Sequence, residues 1–117
     1  MVRARIRFML EITVRTEDDR DHPRPDAEGL AGLVRRIGGR RDRFLVVERI
    51  PDEPDVYVQV WHESGGDYSF EYRDGGADRH FQVKLDGPEP VIDAMAAWAR
   101  REPGWGEGFA WEALELG

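Results

Sequence analysis

Three histidines, two serines and a set of carboxylates and aromatics are the residues of this chain with the widest chemical repertoire. His22, His62 and His80 sit in separate segments, and no His-x-x-x-His or His-Glu-x-x-His spacing is present. A metal site would have to be assembled by the fold alone, and none is expected. Ser64 stands beside two glycines and Ser69 in an alternating run, neither in the Gly-x-Ser-x-Gly elbow that exposes a serine nucleophile. With no cysteine in the chain, disulfides, zinc thiolates and cysteine nucleophiles are excluded. No Gly-x-Gly-x-x-Gly follows a strand and no Walker loop occurs, so no nucleotide cofactor is implied. What remains is proton-transfer chemistry from Glu71 and His80, with Tyr57 and Arg73 close by in the pattern.

Those four residues belong to a stretch that reads as three consecutive strands. Tyr57 to His62 alternates, Ser64-Gly65-Gly66 breaks the pattern, Tyr68 to Tyr72 alternates, Asp74-Gly75-Gly76 breaks it again, and Phe81, Val83 and Leu85 resume it. Pairing His62 with Tyr68 and Tyr72 with Phe81 sorts the meander by face. One face holds Val58, Val60, His62, Tyr68, Phe70, Tyr72, Phe81, Val83 and Leu85. The other holds Tyr57, Gln59, Trp61, Ser69, Glu71, Arg73, His80, Gln82 and Lys84. On that polar face Glu71 lies beside Gln59 and Gln82, and Arg73 beside Tyr57 and His80. Two readings stay open: a solvated face of cross-strand charge pairs, or an exposed surface on which Tyr57, Trp61, Glu71, Arg73 and His80 bind a partner. His62, at the end of the core row, reads as a hydrogen-bonded structural histidine.

The remaining elements must hold this meander. Ala4 to Val14 alternates strictly, with Ala4, Ile6, Phe8, Leu10, Ile12 and Val14 on one side, and predicts a half-buried strand. Thr16 to Pro25, charged and proline-rich, predicts an exposed loop. Asp26 caps a helix with Leu30, Leu33, Val34 and Ile37 on one face, ended by Gly38-Gly39. The arginines around that end follow a helix, whose dipole favours them there, so they do not form a phosphate loop. Phe44 to Ile50 is a strand, and Pro51-Asp52-Glu53-Pro54 its exit turn. A second helix, capped by Asp86 or Gly87 with Pro88 in its first turn, buries Val91, Ile92, Met95, Trp98 and Ala99. Phe109 to Leu116 reads as a last strand, and Trp105 before it as packing beneath the tail or lining a cleft. The order β-α-β-β-β-β-α-β over residues 1–117 predicts a single α+β domain, its sheet mainly antiparallel and both helices on one face.

Composition narrows the partners. Hydrophobic residues make up 40% of the chain, charged residues 35%, and the net charge is −7. That balance suits a soluble domain and opposes nucleic acid, whose phosphates need lysine and arginine to neutralise them. No run reaches the roughly 18 apolar residues of a membrane span, and the basic start is cut by Glu11 before it could serve as a signal peptide. A cytoplasmic location is expected. Sixteen of the 17 basic residues are arginine and asparagine is absent, the signature of a GC-rich bacterial genome.

The segment Gly66-Asp67-Tyr68-Ser69-Phe70-Glu71-Tyr72-Arg73-Asp74-Gly75-Gly76-Ala77-Asp78-Arg79-His80-Phe81, followed by a helix and a Trp-rich tail, resembles one that recurs in small uncharacterised α+β proteins of high-GC actinobacteria. The resemblance runs from about Val56 onward and implies no activity or catalytic residue. In acidity and build the chain is also similar to immunity proteins of bacterial toxin systems. The expected function is therefore a non-enzymatic protein-binding or accessory module that docks a basic protein through its polar, aromatic sheet face. The alternative is a small-molecule binding protein or enzyme with a pocket between sheet and tail, using Glu71 or His80 as general acid or base.

Overall fold

Alternation along each strand, combined with the pairing register, stacks like residues into rows that cross the whole sheet. The computed structural model describes residues 8–114. Among them are β1 (Ile12–Thr16), β2 (Asp21–Pro23), α1 (Ala27–Arg36), β3 (Phe44–Arg49), β4 (Val56–His62), β5 (Tyr68–Asp74), β6 (His80–Leu85), α2 (Pro88–Ala99) and β7 (Glu112–Ala113). The strands form one antiparallel sheet in the order β2-β1-β3-β4-β5-β6-β7. The domain is α+β, as the chain pattern predicts.

Two transverse rows build the core side. Val14, Val47, Val58, Tyr72 and Phe81 stand opposite one another in one row, and Thr16, Leu45, Val60, Phe70 and Val83 in the next. Leu30 and Val34 of α1 and Val91, Met95 and Trp98 of α2 pack on these rows, all of them buried. Each such side chain removed from water stabilises the fold by about 1.5–3 kcal/mol. The N-cap forms as expected, with Gly29 N donating to Asp26 Oδ1 at 2.7 Å. Arg49 ties β3 to the end of α2: its guanidinium lies 4.0 Å from the Trp98 ring centre and donates to the Trp98 carbonyl at 2.9 Å.

The meander register is the expected one. His62 pairs with Tyr68, Tyr72 with Phe81, and Val60 with Phe70, which in turn faces Val83. Three segments depart from expectation. Thr16–Pro25 is not simply a loop, because Asp21–Pro23 pairs with β1 as a short edge strand. Arg15 Nε donates to Asp21 Oδ1 at 2.9 Å across that hairpin, and an edge strand tolerates the missing donor of Pro23. Among the described residues the first strand begins at Ile12, and Phe8 and Leu10 lie before it. Before it the chain bends toward Pro25 and Asp26, which leaves Phe8 77% exposed instead of in the core row; Ala4 and Ile6 lie outside the described residues. At the far end, strand pairing within Phe109–Leu114 is confined to Glu112–Ala113. Phe109 and Trp111 instead cap Phe70, at 6.3 and 5.5 Å between ring centres. Trp105 lies 4.9 Å from Tyr72 and 5.8 Å from Trp111, so these rings cover the end of the core side that the helices leave open.

Candidate functional site

Among the described residues the opposite side of the sheet carries no helix, and the register sets out its residues in three rows. Glu48, Tyr57, Arg73 and His80 form one; Arg15, Val46, Gln59, Glu71, Gln82 and Glu112 the next; Phe44, Trp61, Ser69 and Lys84 the third. All five expected binding residues, Tyr57, Trp61, Glu71, Arg73 and His80, therefore share this face.

Four of them are in contact. Arg73 Nε donates to His80 Nδ1 at 3.1 Å, and His80 Nε2 lies 2.7 Å from Glu71 Oε1. A guanidinium has only hydrogens to give, so Nδ1 must be the bare nitrogen. Nε2 then carries the proton and donates it to Glu71. Behind this pair, Arg73 Nη1 reaches Asp55 Oδ1 at 3.3 Å, and the guanidinium carbon stands 5.5 Å from the Tyr57 ring centre. Tyr57 meets His80 edge-on at 6.0 Å, and burial pushes its hydroxyl pKa up, keeping it neutral.

This packing corrects the expectation of a uniformly exposed face. His80 is 2% exposed, the Glu71 side chain 17% and the Arg73 side chain 19%; Trp61, at 38%, is the open one. The reason is local crowding: the Glu71 and Arg73 side chains and the Tyr57 ring surround one imidazole, and the His80 carbonyl is itself covered by the Leu114 amide at 2.8 Å.

Beside the chain of bonds lies a groove of about 400 Å³ lined by Phe44, Gln59, Trp61, Ser69, Glu71 and Gln82. Trp61 stacks on Phe44, with 5.9 Å between centres and 11° between planes, and Arg43 sits 4.9 Å from the Trp61 ring centre. Arg43 is held by Glu17, whose Oε1 accepts from Arg43 Nε at 3.0 Å. Further along the face, Glu48 and Asp52 border a second depression of about 250 Å³. Burial, and then the Asp52 charge, pushes the Glu48 carboxyl above the usual range.

Phe44 and Asp55 complete this site and were not among the expected site residues. Phe44 could have been found by extending the pairing to β3, where the alternation Phe44, Val46, Glu48 puts it opposite Trp61. Asp55 sits in a turn at positive φ, where periodicity carries no signal. His62 lies on the core side, stacked on Tyr68 at 3.8 Å, and its Nδ1 donates to the Asp67 carbonyl at 3.3 Å. Among the described residues, no group of three or more histidine, aspartate or glutamate side chains converges as a metal ligand set, and no helix is long and apolar enough to cross a membrane. No protein-family model matches this chain, nor does any curated protein or solved structure. Function must then be argued from the site.

Proposed function

We propose that this protein is a non-enzymatic docking module, immunity-like in character, that binds a basic protein through the helix-free face of its sheet. One observation carries the reading: His80 and Arg73 are engaged with each other, with Glu71 and with Asp55 rather than offered to a substrate. Both nitrogens of His80 are bonded and the ring is buried, so it presents no free nitrogen to a bound molecule. A locked array of this kind suits recognition, since little side-chain entropy is lost on binding. The acidic net charge of −7 would steer a basic partner to it.

The alternative pocket between sheet and tail meets a geometric obstacle. Glu71 and His80 point to the face opposite Tyr72, and Tyr72 is the residue that packs on Trp105 and Trp111, so a tail-side ligand would be out of their reach. Arg73, committed to His80 and Asp55, is a positioning residue, and Trp61 is the anchor. Calorimetry of the chain with the protein encoded beside it tests the reading. Trp61→Ala should weaken the complex about thirtyfold, or about 2 kcal/mol, while Glu28→Ala on α1 leaves it unchanged. Equal weakening by both, by neither, or no complex at all would overturn it.

A further inference from the structure

The groove beside Trp61 contains a carboxylate that is held in place but not neutralised. Glu71 accepts from His80 through Oε1, while its second oxygen has no partner among the described residues. Arg73 donates to His80 Nδ1 and to Asp55 and makes no ion pair with Glu71. Lys84, one row away, is exposed and likewise makes none among the described residues. With Nδ1 accepting from Arg73, His80 meets Glu71 through a single hydrogen bond from Nε2 to Oε1. A negative charge is thereby kept in a partly desolvated site, where an incoming cation interacts with it more strongly than in open water.

The rest of the groove matches the shape of a planar cation. Gln59 and Gln82 stand directly opposite Glu71 on the two neighbouring strands, and their carboxamides make no hydrogen bond among the described residues, leaving two oxygens free to accept. Trp61 and Phe44, stacked with their planes nearly parallel, give one wall an aromatic surface, on which guanidinium groups stack well, as Arg43 already does 4.9 Å from the Trp61 ring centre. Resting on the docking reading above, we infer that this groove receives an arginine side chain from the basic partner. Its fork would donate to the free Glu71 oxygen and to the carboxamides of Gln59 and Gln82, with its plane against Trp61. A lysine would use the charge but neither the fork geometry nor the flat wall. A second copy of this acidic chain is disfavoured by charge.

The probe is the blocked peptide acetyl-Gly-Arg-Gly-amide, titrated into the full ¹⁵N-labelled chain. Shifts are expected at the Trp61 indole and at the side-chain amides of Gln59 and Gln82. The citrulline peptide, equal in shape but uncharged, should bind at least tenfold more weakly, as should the lysine peptide, and Glu71→Gln should weaken the arginine peptide by a similar factor. Equal binding of the citrulline or lysine peptide, or shifts confined to other surfaces, would overturn the inference. Tighter binding of free arginine than of the peptide would also overturn it, by pointing to a small-molecule site. Should Glu71→Gln lose its amide dispersion, the citrulline comparison decides alone. Loss of partner affinity in Trp61→Ala without any arginine preference would remove this inference and leave the docking reading standing.

Discussion

Arg73→Met isolates the bond that sets the state of His80. Methionine preserves most of the aliphatic bulk but removes the donor, leaving Nδ1 of a buried ring unpaired. An unsatisfied buried acceptor costs about 1–3 kcal/mol, and loss of the contact with Tyr57 adds about 0.5–1 kcal/mol. The ion pair with Asp55 contributes little, because the Asp55 side chain is 58% exposed. The expected loss is therefore about 2–3 kcal/mol in urea unfolding followed by circular dichroism. In a His80→Phe background the same substitution should cost under about 1 kcal/mol, since the acceptor is already gone. The tautomer can be read directly by long-range ¹⁵N–¹H correlation, where wild type should show the proton on Nε2. A proton on Nδ1, or an undiminished Arg73→Met cost without the imidazole, would refute the reasoning.

Two further substitutions examine the core and the acidic depression. Trp98→Ala removes a fully buried indole and the ring beneath Arg49, so a loss of about 3–5 kcal/mol is expected in the same unfolding assay; a loss under about 1 kcal/mol would mean that the helix phase is wrong. Glu48→Gln concerns pH: the folded carboxyl is pushed above the ordinary value, so the folded state holds its proton more tightly than the unfolded chain does, and ionisation opposes folding as pH rises. Glu48→Gln should therefore melt higher than wild type at pH 7, with the advantage shrinking as pH falls through the carboxylate range. A lower melting temperature at pH 7 would contradict this.

Most of the fold was legible because period two and period 3.6 are properties of the chain itself. The meander could be registered from its two glycine-marked turns, since a slip of one residue would have put Phe70 in water and Glu71 in the core. The hairpin at Asp21–Pro23 was not legible, because three residues, two of them exposed, carry no usable periodicity and are held by the edge of β1 and one ion pair. The strand at Phe8 failed for the converse reason. Its alternation was correct, but burial needs a neighbour on the other side, and the chain there bends out of the sheet toward Asp26.

The same distinction explains the site. Alternation assigns a face, and the five residues were placed on the right one; exposure is decided by what stands in adjacent rows, which a single strand does not encode. His80 is buried on a side of the sheet that bears no helix because Tyr57, Glu71 and Arg73 converge on it from strands two and one positions away. The consequence is functional. A histidine that looked free for proton transfer is consumed in holding a carboxylate still, and the chemistry left on the surface belongs to the unpaired oxygen of Glu71 and the open ring of Trp61. The helix-covered rows supply the stability, so the proposed recognition surface can change its outermost side chains, Trp61 first, without disturbing the core behind it.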